Sequence, residues 1–156
     1  MRVVIAAHEK GRKLGRMRTR RPIPVTGRGV ATVLVVDDDP SVLNALARLL
    51  RALGYKVRTF DRPGELLASI LPTENACLLV DINLPEMNGI ELCRILAESG
   101  CGLPAILITG RSDAATRRLV EEATSVAVLS KPIDEVRLLE AITQAIGMSK
   151  PKRRDT

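Results

Sequence analysis

Five short apolar runs follow one another from residue 31 onward: "TVLVV", "KVRTF", "ACLLV", "AILIT" and "VAVLS". Each has the length of a β-strand. Between them the apolar residues fall at helical spacing. Residues 40–53 set Leu43, Leu46, Ala47, Leu50 and Leu53 three and four positions apart. Residues 62–70, 88–98, 112–123 and 135–146 read the same way, least clearly in 112–123, and Leu138, Leu139, Ile142 and Ile146 form the stripe of the last. Repeated strand–helix alternation leaves few folds open, because parallel neighbours need a crossover and the crossover helices cover the sheet. The expectation is an α/β domain with a five-stranded parallel sheet of order 2-1-3-4-5, doubly wound by five helices. The more polar "KVRTF" fits an edge, and the first, third and fourth runs fit the centre. Ligands in such sheets bind beyond the carboxyl ends of the strands, near the point where the order reverses.

Those ends carry chemistry. The first run stops at Asp37, Asp38 and Asp39, and the third at Asp81. The fourth ends on Thr109, and the fifth leads into Lys131 and Pro132. Two ionised groups about 4 Å apart repel by about 4 kcal/mol at an effective dielectric of about 20. A solvated loop tolerates such crowding; a hard divalent cation with oxygen ligands cancels it. A lone Asp after a strand is usually a turn former or a helix cap. Four strand ends that are all chemically apt are far harder to reach by accident. Asp39 plays a separate part, because it precedes Pro40, and Asp-Pro is a natural helix N-cap followed by a first-turn proline. The triplet therefore divides into a candidate metal pair, Asp37 and Asp38, and a cap.

Composition narrows the chemistry further. Aromatic residues are 1% of the chain, Tyr55 and Phe60 alone, so stacking on nucleotide bases has almost nothing to use. His8 is the only histidine and lies outside every patterned segment. Cys77, Cys93 and Cys101 are odd in number and lack metal-ligand spacing, which favours small core residues in a reduced, cytoplasmic setting. No apolar run approaches the roughly 18 residues of a membrane helix, and "VVIAA" is too short for the apolar region of a secretory signal. The net charge of +6 is unevenly spread: residues 1–30 carry +8, residues 31–149 carry −5 and residues 150–156 carry +3. An acidic globule thus bears two basic tails. Residues 1–30, broken by Gly and Pro and without periodicity, read as a disordered basic arm, residues 31–147 as the domain, and residues 148–156 as a short basic tail.

The ordered set "VVDDDPSV", "LLVDINLPEMNGIEL", "ILITG" and "LSKPID" resembles the receiver domain of two-component response regulators, a CheY-like, flavodoxin-like family. The resemblance covers residues 31–147, and "LPEMNG" and "ITG" are most similar to receivers of nitrogen-fixation-type transcription regulators. It implies that Asp81 is the phosphoacceptor. It implies a Mg²⁺ site made by Asp38 directly, Asp37 mostly through water, Asp81, and the backbone carbonyl of Asn83. It further implies that Thr109 and Lys131 bind phosphoryl oxygens. The residue types fit that chemistry: Mg²⁺ uses one or two carboxylates plus phosphate oxygens, and phosphoryl transfer needs mainly positioning and charge compensation.

Two positions depart from the family. The switch aromatic three residues before the Lys is Val128, and the residue after Lys-Pro, often Phe, is Ile133. The family's coupling of the Thr to an aromatic cannot operate with valine. The reading implied is a stand-alone receiver, charged by a histidine kinase or a histidine phosphotransfer protein and acting on a downstream protein target. Self-dephosphorylation is expected, but no enzymatic turnover in the ordinary sense. The rival is a nucleic-acid-binding protein acting weakly and salt-dependently through its basic arms; Met17 offers a later start that would remove most of the first arm. A dinucleotide enzyme is disfavoured, because residues 37–42 lack the glycines of a phosphate-binding first turn.

Overall fold

The computed structural model describes residues 2–3, 29–110, 114–122 and 127–149. The strands are β1 (Arg2–Val3), β2 (Thr32–Val36), β3 (Lys56–Phe60), β4 (Ala76–Asp81), β5 (Ala105–Thr109) and β6 (Ala127–Ser130). The helices are α1 (Pro40–Ala52), α2 (Pro63–Leu67), α3 (Gly89–Glu98), α4 (Ala114–Glu122) and α5 (Glu135–Met148). All strand pairs are parallel, in the order β1-β6-β5-β4-β2-β3. Counted from Thr32, that is the expected five-stranded order 2-1-3-4-5, with "KVRTF" at one edge.

Each apolar run alternates between two cores, as the two-residue period of a strand requires. Val33, Val35, Cys77, Leu79, Ile106, Ile108 and Leu129 pack with α1 and α5. Leu34, Val36, Leu78, Val80, Leu107 and Val128 pack with α2 and α3. Of the predicted stripes, Leu43, Leu46, Ala47 and Leu50 are buried in α1 with Leu53 just past its end, and Leu138, Ile142 and Ile146 are buried in α5. Leu139 is only half-buried, and Ala141 and Ala145 complete the buried face of α5 instead. Helix α1 ends where Gly54, at φ +96°, turns the chain toward β3 while Tyr55 N–H donates to Leu50 O at 3.1 Å. Burial pushes the Cys77 thiol up to about 12 and Cys93, with Cys101 adding to the effect, up to about 11. Neither thiol is a reactive thiolate at neutral pH.

Three expectations need correction. The helix expected over residues 62–70 is a single short turn, Pro63–Leu67. Its continuation is diverted: Arg58 Nη1 donates to Ile70 O at 2.8 Å, and the Ile70 side chain is exposed. The N-terminal arm has no pattern in its sequence, yet Arg2–Val3 pairs with Val128 and Leu129 as a sixth strand. The outer edge of β6 offers unpaired backbone groups, a natural template for even a two-residue strand. Met148, expected in the C-terminal tail, is the last residue of α5, and Ser149 after it is buried. Residues 4–28 and 150–156, including His8 and Met17, lie outside the described residues, as do the start and end of the helical segment expected over 112–123. Among the described residues, no helix is long and apolar enough to cross a membrane.

Candidate functional site: an acidic cluster bridged by lysine

The parallel register brings the polar strand ends together. β2 and β4 are neighbours, with Val36 level with Val80, so the next residues of each strand, Asp37 and Asp81, emerge side by side. On β5 and β6, Thr109 pairs with Ser130, and Lys131 N–H donates to Thr109 O at 2.8 Å, which sets Lys131 beside Thr109. Asp37 is fully buried, Asp81 and Thr109 are nearly so, and Asp38 is exposed.

Carboxylate oxygens of Asp37, Asp38 and Asp81 all lie within 4.8 Å of one another. Lys131 reaches into this group from β6. Its Nζ donates to Asp81 Oδ2 at 2.9 Å and lies 3.4 Å from Asp37 Oδ2. Burial works against the ammonium, but the hydrogen bond and charge of Asp81, followed by those of Asp37, outweigh it and hold the Lys131 pKa above its ordinary value. Asp37 is displaced upward, first by burial and then by the neighbouring Asp81 charge, against the lowering effects of the Asp39 N–H and of Lys131. The other carboxylate oxygens of Asp37 and Asp81 are held by the backbone. Asp39 N–H donates to Asp37 Oδ1 and Asn83 N–H to Asp81 Oδ1, both at 2.9 Å. Among the described residues no buried polar side-chain atom lacks a partner.

Asp39 stands apart from this cluster and accepts from Ser41 N–H at 2.9 Å, as the N-cap of α1 with Pro40 in its first turn. Val128 is not near a surface: it is 6% exposed within the α2–α3 core, while Ile133 packs against the other core. The Lys131–Pro132 peptide is cis. A cavity of about 570 Å³ lies elsewhere, between Leu67 and Leu71, the end of α3, and Met148, and no residue of the acidic cluster lines it.

The sequence did not reveal that Lys131 bridges both buried carboxylates, nor how the loop after Asp81 is tied down. In that loop Asn88 Oδ1 accepts from Glu91 N–H at 2.8 Å to cap α3, and Gly89 N–H donates to Ile82 O at 2.9 Å. Asn-Gly immediately before an apolar-periodic segment was the available signal.

The model of the response regulator receiver domain matches residues 33–143. The chain belongs to the response regulator receiver family. Its curated relatives include the response regulator protein TmoT of Ectopseudomonas mendocina, 34% identical over 76% of this chain and 54% of that protein. Another is the transcriptional regulatory protein FixJ of Rhizobium meliloti, 32% identical over 73% of this chain and 56% of that protein. The chain thus spans about half the length of the curated relatives it matches. Among solved structures, FixJ-N has a TM-score of 0.71 at 30% identity, covering 78% of this chain and 97% of that one. The response regulator StyR has a TM-score of 0.70 at 38% identity, covering 78% of this chain and 61% of that one. Receiver domains of this family work in two-component systems, where histidine kinases phosphorylate them and Mg²⁺ occupies an acidic pocket. The donor set here suits that ion: hard carboxylate oxygens, two residues buried and one facing solvent.

Proposed function

We propose that this receiver accepts a phosphoryl group on Asp81 from a phosphohistidine, on a histidine kinase or a phosphotransfer protein, and signals through contacts with a downstream protein. The supporting observation is the bridge from Lys131 to Asp81 and Asp37, with Asp38 alongside. A carboxylate oxygen of Asp81 attacks the phosphorus. The new O–P bond forms as the P–N bond breaks, and the imidazole nitrogen keeps the electron pair and takes a proton from solvent. Asn83 N–H orients the Asp81 carboxylate during the approach. Lys131 Nζ already lies 2.9 Å from Asp81 Oδ2, so a phosphoryl group added there comes within its reach. Thr109, on the adjacent strand end, would donate its hydroxyl to another phosphoryl oxygen. Mg²⁺ held by Asp38, Asp37, Asp81 and the Asn83 carbonyl would supply charge compensation for both the carboxylates and the phosphoryl oxygens. Water hydrolyses the acyl phosphate in time and restores the resting carboxylate, so the chain acts as a timed switch rather than a turnover enzyme.

Incubation with acetyl phosphate and Mg²⁺ tests the reading. One acid-stable, base-labile phosphoryl group should appear on the wild type and none on Asp81→Asn. Equal labelling of the two would remove Asp81 from this role.

A further inference from the structure

Gly89 begins α3 beside the proposed nucleophile, and its backbone does not call for glycine. Among the described residues the positive-φ glycines are Gly29, Gly54 and Gly100; Gly89 is not among them. Its requirement is space. A Cβ built at Gly89 would overlap the main-chain oxygen of Asp81, approach Val80 Cγ1 to 2.8 Å and the Asp81 carbonyl carbon to 3.0 Å. Two of the three neighbours are main-chain atoms of a central strand and cannot rotate away. At the helical glycines Gly64 and Gly147 an added Cβ would meet nothing within 4 Å.

The loop between Asp81 and Gly89 is fastened at both ends. Asn83 N–H holds Asp81 Oδ1 at 2.9 Å at one end. At the other, Gly89 N–H holds Ile82 O at 2.9 Å, and the Asn88 side chain caps the helix that follows. A shift of α3 away from β4 therefore has little slack to absorb it before it reaches Asn83.

We infer that Gly89 is a positioning residue for phosphoryl acceptance. The missing side chain lets α3 seat directly on the Asp81 carbonyl, and that seat sets where Asn83 lies against the Asp81 carboxylate. The inference rests on Asp81 as the phosphoacceptor and names a determinant of its reactivity. A methyl group at position 89 drives α3 and the loop off the strand. Asn83 then loses its hold on the carboxylate, and its carbonyl moves relative to the acidic cluster.

The test is Gly89→Ala beside two controls. Gly147→Ala adds a methyl in open space, and Leu96→Ala weakens the packing of α3 without approaching Asp81. Two quantities are read: the Mg²⁺ dissociation constant by NMR titration, and the rate of phosphorylation by acetyl phosphate at saturating Mg²⁺. Gly89→Ala should weaken the first and slow the second by about tenfold each, the scale of a lost outer-shell partner at a metal site. Leu96→Ala should leave both within about twofold even where its melting temperature falls further. Wild-type behaviour of a folded Gly89→Ala, or equal losses in Leu96→Ala, overturns the inference. Should Gly89→Ala fail to fold, Val80→Ala/Gly89→Ala gives the new methyl part of the volume the valine leaves. The overlap with the Asp81 oxygen stays, so the double variant should still fall about tenfold below Val80→Ala; equality of the two refutes the role. Absence of labelling in the wild type, or equal labelling of Asp81→Asn, would sink the phosphoacceptor reading itself. A labelled wild type with an unaffected Gly89→Ala sinks only the role of Gly89.

Discussion

The middles of β2 and β4 and the residues just past them obey opposite rules. Val33 to Val36 and Leu79 and Val80 are fully buried aliphatic residues, and each gains from leaving water. One step further along the same strands stand Asp37, fully buried, and Asp81, 3% exposed, for which leaving water is a cost. The backbone is continuous and the register unbroken, so the two rules meet across a single peptide on each strand. The strands supply stability from their interiors and add none through regular packing at their ends. There, like charges are held together by Lys131 and by backbone N–H groups. Such an arrangement is stable only as part of a larger packed body, and under the proposed function a cation or a phosphoryl group would answer its charge.

The largest effect should come from the interior. Leu79→Ala removes a fully buried side chain from the α1–α5 core and should cost about 3 kcal/mol in denaturant unfolding. Mg²⁺ affinity of the folded variant should stay at the wild-type value. A large loss of affinity would mean that interior and end are not separable.

Lys131→Met should come next. It leaves two buried carboxylates without their ammonium. Partner removal in fully buried pairs costs more; with the Lys131 side chain 32% exposed, solvent screening brings the expectation to about 2 kcal/mol without metal. The sign with pH follows from the raised Lys131 pKa. Its contribution is complete below the unfolded-state value of 10.5 and fades as pH rises through the higher folded value. The deficit of Lys131→Met should therefore be flat through neutral pH, shrink in alkali as the ammonium is lost, and shrink again in acid once Asp37 is protonated. Mg²⁺ should stabilise Lys131→Met more than the wild type, because the ion would then supply the only compensating charge. A thermal scan with and without Mg²⁺ at several pH values checks all three statements.

Much of this division is legible in the residues. The runs "TVLVV", "KVRTF" and "AILIT" are strands to the residue, because an apolar run bounded by polar residues leaves no other register. "ACLLV" gains Asp81 as its last strand residue. The strand ends that converge are legible too, since parallel order fixes which ends are neighbours. What escapes is set by tertiary contact. Nothing in "RPGELLASI" announces that Arg58 takes the Ile70 carbonyl, so its apolar spacing promises a longer α2 than forms. Nothing in "MRVV" announces pairing with β6, because a two-residue strand has no period. The difference between Asp37 and Asp38, one buried and one exposed, is likewise invisible in a triplet of identical letters.

Val128 sharpens the contrast at a third place, where an interior residue stands at the position that the resemblance assigns to the family's switch. Its side chain is 6% exposed and packs with the α2–α3 core. Val128→Tyr should therefore overpack that core and cost about 1.5 kcal/mol in denaturant unfolding. A tyrosine accepted without loss would show that the ring has a second place to lie.

Asp38→Ala tests most directly the claim that the strand ends trade stability for ligand charge. Thermal unfolding should be followed for the wild type and the variant, each with and without Mg²⁺. Without metal the variant should be as stable as the wild type or higher by less than about 1 kcal/mol, since a like charge has gone from beside Asp37 and Asp81. With Mg²⁺ the wild type should rise through linkage and the variant should lose most of that rise. A variant that is less stable without metal and keeps the full Mg²⁺ response would contradict the claim, and the acidic triplet would be only a loop.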